Sequence, residues 1–399
     1  MSPAYRYISA DSHLEVAVDR WTSRMPKQYR DRAPRMVELD TGGQAWAIEG
    51  RPLRIQGLDL FGGKTYQEIS PIKGRYDQTE GTGSAEQRLL EQDRDNIEAE
   101  VFFPGVGGPT FWRGISNDEA YKSLIRAYNE FLIEEYCVVS PNRLIPMGLI
   151  PETNVDDAVA ELAYCAKAGM TGVVLNSFPS REPFPVPSDD KFWEAAVDSG
   201  LIITAHTTLT DPSYTGPFFK YDWTVEMGFG RDPVKSIGKY YQAGGMSLLQ
   251  LVMAGVFERF PDLSLGWLEN QVGWIPHWLD TIDDEYRRQV SWIEEHAGLK
   301  PLPRKPSAII LDHNWWGFIY NPSGVQMRHM IGVDKILWSS DFPHYHGDWP
   351  HSVEIVEEQF TGVDEEEKFQ MVRGNALERY GIETDGPKTY QELVASTQR

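Results

Sequence analysis

The chain has 399 residues, 41% hydrophobic and 12% aromatic, a length that suits two or three domains or one α/β barrel with insertions. Its 38 basic residues against 59 acidic ones give a formal charge of −21, which repels nucleic acid and anionic membranes and makes neither an expected partner. Two cysteines, Cys137 and Cys165, make no disulfide framework, the opening residues carry no targeting pattern, and no apolar run approaches membrane-span length. The expectation is a cytoplasmic protein acting on a small molecule.

The first predicted strand runs from Tyr5 into Asp11-Ser12-His13. Period-two alternation puts Asp11 and His13 on one face and Ser12 on the other, so a carboxylate and an imidazole can bite one cation together. The bland alternative is an edge strand entering a turn with both residues solvated, and an i,i+2 pair alone is a weak motif. From Val16 to about Gly83 the chain is polar and rich in Gly and Pro, with short strand-like pieces at 44–48 and 52–55. So long a segment is expected to be an ordered insertion, a small β element over one end of the main domain.

A regular alternation follows. Ser84 opens a helix with a capping-box pattern, and Ala99 to Phe103 reads as a strand stopped by Pro104-Gly105. A helix from Asn117 to Val138 leads to a strand from Leu144 to Ile150. The helix Asn154 to Ala168 ends at Gly169, and Gly172 to Asn176 is the next strand. The helix Asp189 to Ser199 ends at Gly200, ahead of an apolar strand from Leu201 to His206. A second insertion, 211–241, is aromatic-rich. Beyond it lie a helix from Gly244 to Arg259, a strand from Leu263 to Glu269 and a long helix reaching towards His296. A strand from Trp315 to Ile319, a short helix, a strand starting at Ile336 and a helix from about Asp364 to Tyr380 complete the chain. The acidic run from Asp364 to Glu367 reads as a helix N-terminus, and Asp283-Asp284-Glu285 as a solvated helix face.

Eight apolar strands alternating with helices predict a parallel sheet covered on its outer side: a (β/α)8 TIM-like barrel, one domain over 1–399 with insertions at about 16–83 and 211–241. No Gly-x-Gly-x-x-Gly and no phosphate-loop motif is present. In such a barrel all strand C-termini open on one mouth, which would bring Asp11, His13, His206, Glu269 and Asp341 together. Alone, His206 reads as a satisfied core histidine and Asp341 as a turn residue. Four strand ends carrying ligand-type residues together make a divalent-metal site, zinc by preference, with manganese left open by the carboxylates. Glu15, Arg54, Trp223, Trp315, His344 and His346 are placed around the mouth. Of these Arg54 (a clamp for a carboxylate), Trp223 and His344 are the expected substrate contacts, although an arginine in an insertion is commonly solvated and tryptophans commonly pack.

Asp11-Ser12-His13 on the first strand, Ser339-Ser340-Asp341-Phe342-Pro343-His344 on the last and the run Gly374 to Gly381 in the final helix resemble the amidohydrolase-2 group of the amidohydrolase superfamily. That group includes relatives of aminocarboxymuconate-semialdehyde decarboxylase and of the resorcylate-type decarboxylases. The segments 267–276 and 94–101 are similar to it as well. The resemblance implies one divalent metal held by Asp11, His13, His206 and Asp341. Two positions depart from the group: Asp-x-His replaces the common His-x-His, and Glu269 stands where the well-studied decarboxylases carry histidine.

Glu269 therefore favours a metal-dependent hydrolase of a small amide, ester or lactone, in which a metal-activated water attacks the carbonyl. Asp341 would take the water's proton, Glu269 would orient the water or serve as acid, and His206 would complete the catalytic set. The alternative is non-oxidative decarboxylation of an aromatic or unsaturated acid, and the third a barrel without catalysis. A homodimer is expected.

Overall fold

Continuous apolar strands and short capped helices assemble as the alternation requires. The computed structural model describes residues 4–55, 57–105, 108–209 and 243–397, and the second insertion falls outside them. Its strands are β1 (Tyr7–Leu14), β2 (Arg35–Glu38), β3 (Gln44–Ala47), β4 (Arg54–Ile55), β5 (Ile97–Pro104), β6 (Leu144–Leu149), β7 (Gly172–Leu175), β8 (Ile202–His206), β9 (Leu265–Leu268), β10 (Asn314–Phe318) and β11 (Ile336–Trp338). One eight-stranded parallel sheet runs β1-β5-β6-β7-β8-β9-β10-β11, so each strand pairs with its neighbour in sequence apart from the inserted β2 to β4. Every residue of β1, β6, β7, β9, β10 and β11 is buried, as expected for strands covered on both faces.

The seam between the last and first strands closes just beyond β11. Asp341 donates its amide proton to the Asp11 carbonyl at 3.0 Å, and His13 donates to the Phe342 carbonyl at 2.8 Å. The sheet thus completes a TIM-like barrel at the two motifs the sequence singled out.

Helix ends follow local chemistry. Ser84, Asn117 and Asn154 accept from Gln87, Ala120 and Asp157 at the starts of the helices Ala85–Arg94, Asp118–Phe131 and Val155–Ala168. Gly169, at φ 80, ends the last of these in the left-handed region. Asp364 caps the acidic run as expected. The final helix is not continuous: a π turn at Gln370–Gly374 separates Glu365–Phe369 from Asn375–Tyr380. The turn carries the fully buried Arg373, which donates to Glu98 and to the Arg6 carbonyl beneath β1. Helices Pro306–His313, with proline at its first position, and Tyr390–Thr397 add to the elements expected from the sequence. Asp283 is not simply solvated, since it accepts from the Ser307 amide and hydroxyl at the first turn of Pro306–His313.

The first insertion forms the expected β element, a three-stranded antiparallel sheet ordered β2-β3-β4. It is tied to the loop after β11: Phe61 and Gly62 donate to the Pro343 carbonyl, and Tyr345 donates to the Leu58 carbonyl. Gly81, at φ 88, lies against Pro343 so closely that a Cβ would sit 2.5 Å from its ring. The insertion is a cap on the C-terminal mouth.

Candidate functional site

The site begins with an irregularity in β1. Between Ser9 and Ser12, three steps along β1 are matched to two along β5. A bulge of this kind re-aims side chains, and here it contains Asp11 and leads into His13, both buried. Ser12 turns away, its hydroxyl in contact with Ser9 and Ser340. At the far side of the seam, Asp341 follows β11 at φ 54, and Glu269 follows β9 at φ 52. A left-handed backbone is unusual for a residue such as glutamate and marks positions held by their surroundings.

These side chains meet. His13 donates through Nδ1 to the Pro104 carbonyl at 3.1 Å, which leaves Nε2 facing the mouth, 3.0 Å from Asp341 and 3.6 Å from Asp11. His206 Nε2 lies 3.4 Å from Asp11 and 3.7 Å from Glu269. Within the described residues, both oxygens of Asp11 and of Asp341, and Nε2 of His13 and of His206, are buried without a hydrogen-bond partner. Buried polar atoms are normally satisfied. Six orphaned donor atoms pointing at one another, two of them imidazole nitrogens and four carboxylate oxygens, fit a divalent cation.

Two further imidazoles enter from the loop after β11. His344 stacks on His13 with ring centroids 3.8 Å apart, and its Nδ1 lies 3.4 Å from Asp341 while Nε2 meets Glu15 at 3.0 Å. His346 Nδ1 lies 3.5 Å from Glu269 and 3.7 Å from Asp341. The potential ligand atoms form three overlapping groups: Asp11, His13 and His206; His13, Asp341 and His344; and Glu269, Asp341 and His346.

Charge pairing dominates the electrostatics. Burial would raise the Asp341 carboxyl, but His344 and His13 outweigh it and hold it well below the usual carboxylate range. Burial would lower His206 and His344. Asp11 together with Glu269 and Asp341 outweighs this for His206, and Asp341 with Glu15 does so for His344, so both imidazoles are raised.

Of the residues picked from sequence, Asp11, His13, His206, Glu269, Asp341 and His344 converge. Arg54 lies on β4 in the cap and pairs with Asp59 at 3.3 Å, and Asp59 in turn acts electrostatically on His344. Trp315 is not at the mouth: it is buried in the core, edge-on to Tyr380, with Gly266 leaving room for its ring. Trp223 lies outside the described residues. The sequence reading placed Glu15 and His346 near the mouth without giving them a role. Glu15 is fully buried and also accepts from the Tyr76 hydroxyl at 3.3 Å, which the Trp46 indole meets at 2.5 Å. The available signal was the density of Asp and His in Asp341 to His346.

A parallel barrel with imidazoles and carboxylates gathered at its C-terminal mouth is the arrangement of a barrel enzyme with a candidate metal site. The chain belongs to the amidohydrolase family Amidohydro_2, whose model matches residues 40–382. It is 24% identical over 328 residues to a decarboxylase of Emericella nidulans, covering 78% of this chain and 88% of that one. It is 22% identical over 289 residues to the gamma-resorcylate decarboxylase of a Rhizobium species, covering 68% of this chain and 81% of that one. The fold matches the 5-carboxyvanillate decarboxylase of Novosphingobium aromaticivorans, solved with manganese and 4-hydroxy-3-methoxy-5-nitrobenzoic acid. The TM-score is 0.65 at 16% identity, over 94% of this chain and 96% of that one. These relatives bear out the expected family, and they favour the lyase alternative over the hydrolase that Glu269 suggested.

Proposed function

We propose that this chain is a metal-dependent, non-oxidative decarboxylase of an aromatic acid. The observation that carries the reading is His346, whose Nδ1 stands 3.5 Å from Glu269. The sequence argument for hydrolysis was that a carboxylate had replaced the strand-six imidazole. With His346 beside it, that carboxylate has an imidazole within reach, delivered by a different loop. The names of the relatives, decarboxylases of gamma-resorcylate and 5-carboxyvanillate among them, support the same chemistry.

In this reading Asp11, His13, His206 and Asp341 would hold the ion. Zinc and manganese both suit two nitrogens and two carboxylates, and the solved relative contains manganese. When bound, the ion supplies positive charge that fixes the substrate carboxylate and a neighbouring hydroxyl. His346, held by Glu269, gives its proton to the ring carbon that bears the carboxylate. The carbon–carbon bond then breaks, its electron pair restores the aromatic ring, and carbon dioxide leaves. Solvent reprotonates His346. His344, wedged between Asp341 and Glu15, keeps the Asp341 carboxylate in place.

The test is to load the protein with zinc or manganese and incubate it with hydroxybenzoates, amides, esters and lactones in heavy water. Carbon dioxide release with one solvent deuterium at the vacated ring carbon is the expected result. Hydrolysis of an amide, ester or lactone without carbon dioxide from any acid would overturn the reading.

A further inference from the structure

Next to the metal-type centre is a cavity of about 530 Å³. His346 borders both: its Nδ1 faces Glu269 and Asp341, and the same residue lines the cavity. The other walls come from separate parts of the fold. Tyr66 is supplied by the cap, Tyr320 by the segment after β10, Tyr345 and Asp348 by the loop after β11, and Glu358 by the helix Ser352–Gln359. The Tyr345 ring lies 4.0 Å from that of His346, and Tyr66 stacks on Phe61.

Resting on the decarboxylase reading, we propose that this cavity receives the remote end of an extended aromatic acid. We further propose that it selects a neutral or cationic end over a second carboxylate. Flat aromatic walls with Ile69 and Ile355 between them suit a second ring. The polar groups decide its charge. Among the described lining residues there is no lysine or arginine, whereas Asp348 and Glu358 are both present. Two of the three lining phenols are already committed to these carboxylates. Tyr66 donates to Asp348 at 2.7 Å and Tyr320 donates to Glu358 at 2.8 Å. His346 is engaged by Glu269 and Asp341 at the inner end, so in the outer part of the cavity an incoming carboxylate would face two like charges, while an ammonium or a phenol would face acceptors and ring faces.

The experiment uses the metal-loaded protein and calorimetric titration with three probes: 4′-(aminomethyl)biphenyl-4-carboxylate, biphenyl-4,4′-dicarboxylate and 2-hydroxybenzoate. The ammonium probe should bind at least about tenfold more tightly than the dicarboxylate, the size of one uncompensated charge contact. The Asp348→Asn/Glu358→Gln double variant should bring the two within about twofold and leave 2-hydroxybenzoate binding unchanged. Should the double variant fail to fold, Glu358→Gln at its exposed position serves in its place and should remove about half of the preference on a logarithmic scale. Equal binding of the two biphenyls by the unmodified protein, or a preference that survives substitution, would overturn the proposal. The single-ring probe reports on the metal centre separately. If 2-hydroxybenzoate binds and the biphenyls do not differ, the subsite fails and the decarboxylase reading stands. If 2-hydroxybenzoate does not bind while the charge preference is present and removable, the subsite stands and the decarboxylase reading fails.

Discussion

At the scale of single residues, the centre divides into groups that would hold a cation and groups that would act on substrate. His206 belongs to the first set, because its Nε2 is buried without a partner and faces Asp11. His206→Ala should remove most bound metal, measured as metal per chain after purification, and wild-type content would exclude it as a ligand. Glu269 belongs to the second set. Glu269→Gln should keep the metal and lower turnover by roughly two to four decades, the size of a lost proton-transfer partner. Loss of metal in that variant would make Glu269 a ligand instead. Gly105 tests the support behind the centre: a Cβ there would lie 2.3 Å from the Glu15 carboxylate, which holds His344. Gly105→Ala should therefore displace Glu15 and lower both metal content and turnover with little change in overall stability. An unchanged enzyme would mean that the Glu15–His344 contact is dispensable.

At the scale of elements, the loop carrying Asp341 is braced by the helix Ala85–Arg94. Arg88 pairs with Glu100 of β5 at 2.6 and 3.0 Å, donates to the Phe342 carbonyl and lies over the Phe342 ring, all within the core. Arg88→Met leaves Glu100 buried without its countercharge and should cost about 3–5 kcal/mol by urea unfolding. A change below about 1 kcal/mol would show the pair to be poorly coupled to folding. The same helix ends at Asp95, which accepts from the Ser352 amide and hydroxyl and so fastens the helix Ser352–Gln359. Burial pushes the Asp95 carboxyl up to about 7, against the opposing pull of its Ser352 hydrogen bonds. A raised native value means that this group's contribution is fully present below its unfolded value near 4 and is lost as pH rises through about 7. Relative to wild type, Asp95→Asn should gain stability progressively between about pH 4 and pH 7, on the order of a few kcal/mol. A stability difference that does not vary over that window would contradict the assignment.

At the scale of the whole molecule, barrel closure and site assembly are one event. The hydrogen bonds that join the segment after β11 to β1 use the backbone of Asp11, His13, Asp341 and Phe342, so the cation-binding groups come together only when the last strand docks on the first. Among the described residues no helix is long and apolar enough to cross a membrane. The expected homodimer would weigh twice the 45.4 kDa chain mass. Light scattering at micromolar concentration tests it, and a monomer mass would count against it.

What the sequence determined alone is the periodic part of the protein. Eight apolar runs separated by capped helices define a parallel barrel, because such strands can be buried on both faces only under crossover helices. Strand order then follows chain order, so polar residues at strand ends, Asp11, His13, His206, Glu269 and Asp341, could be assigned to one mouth before any coordinates. Tertiary structure decided what has no period. The bulge at Asp11, the π turn that buries Arg373 and the left-handed backbone at Glu269 and Asp341 are fixed by neighbours distant in sequence. Trp315 could not be told from a mouth residue by its type, since an aromatic serves core and pocket equally and only its place near the start of β10 puts it in the core. The contact between His346 and Glu269 joins two loops 77 positions apart, from 269 to 346, and no local pattern encodes such a meeting. That one distance shifts the chemical reading from a carboxylate acting alone to an imidazole–carboxylate pair.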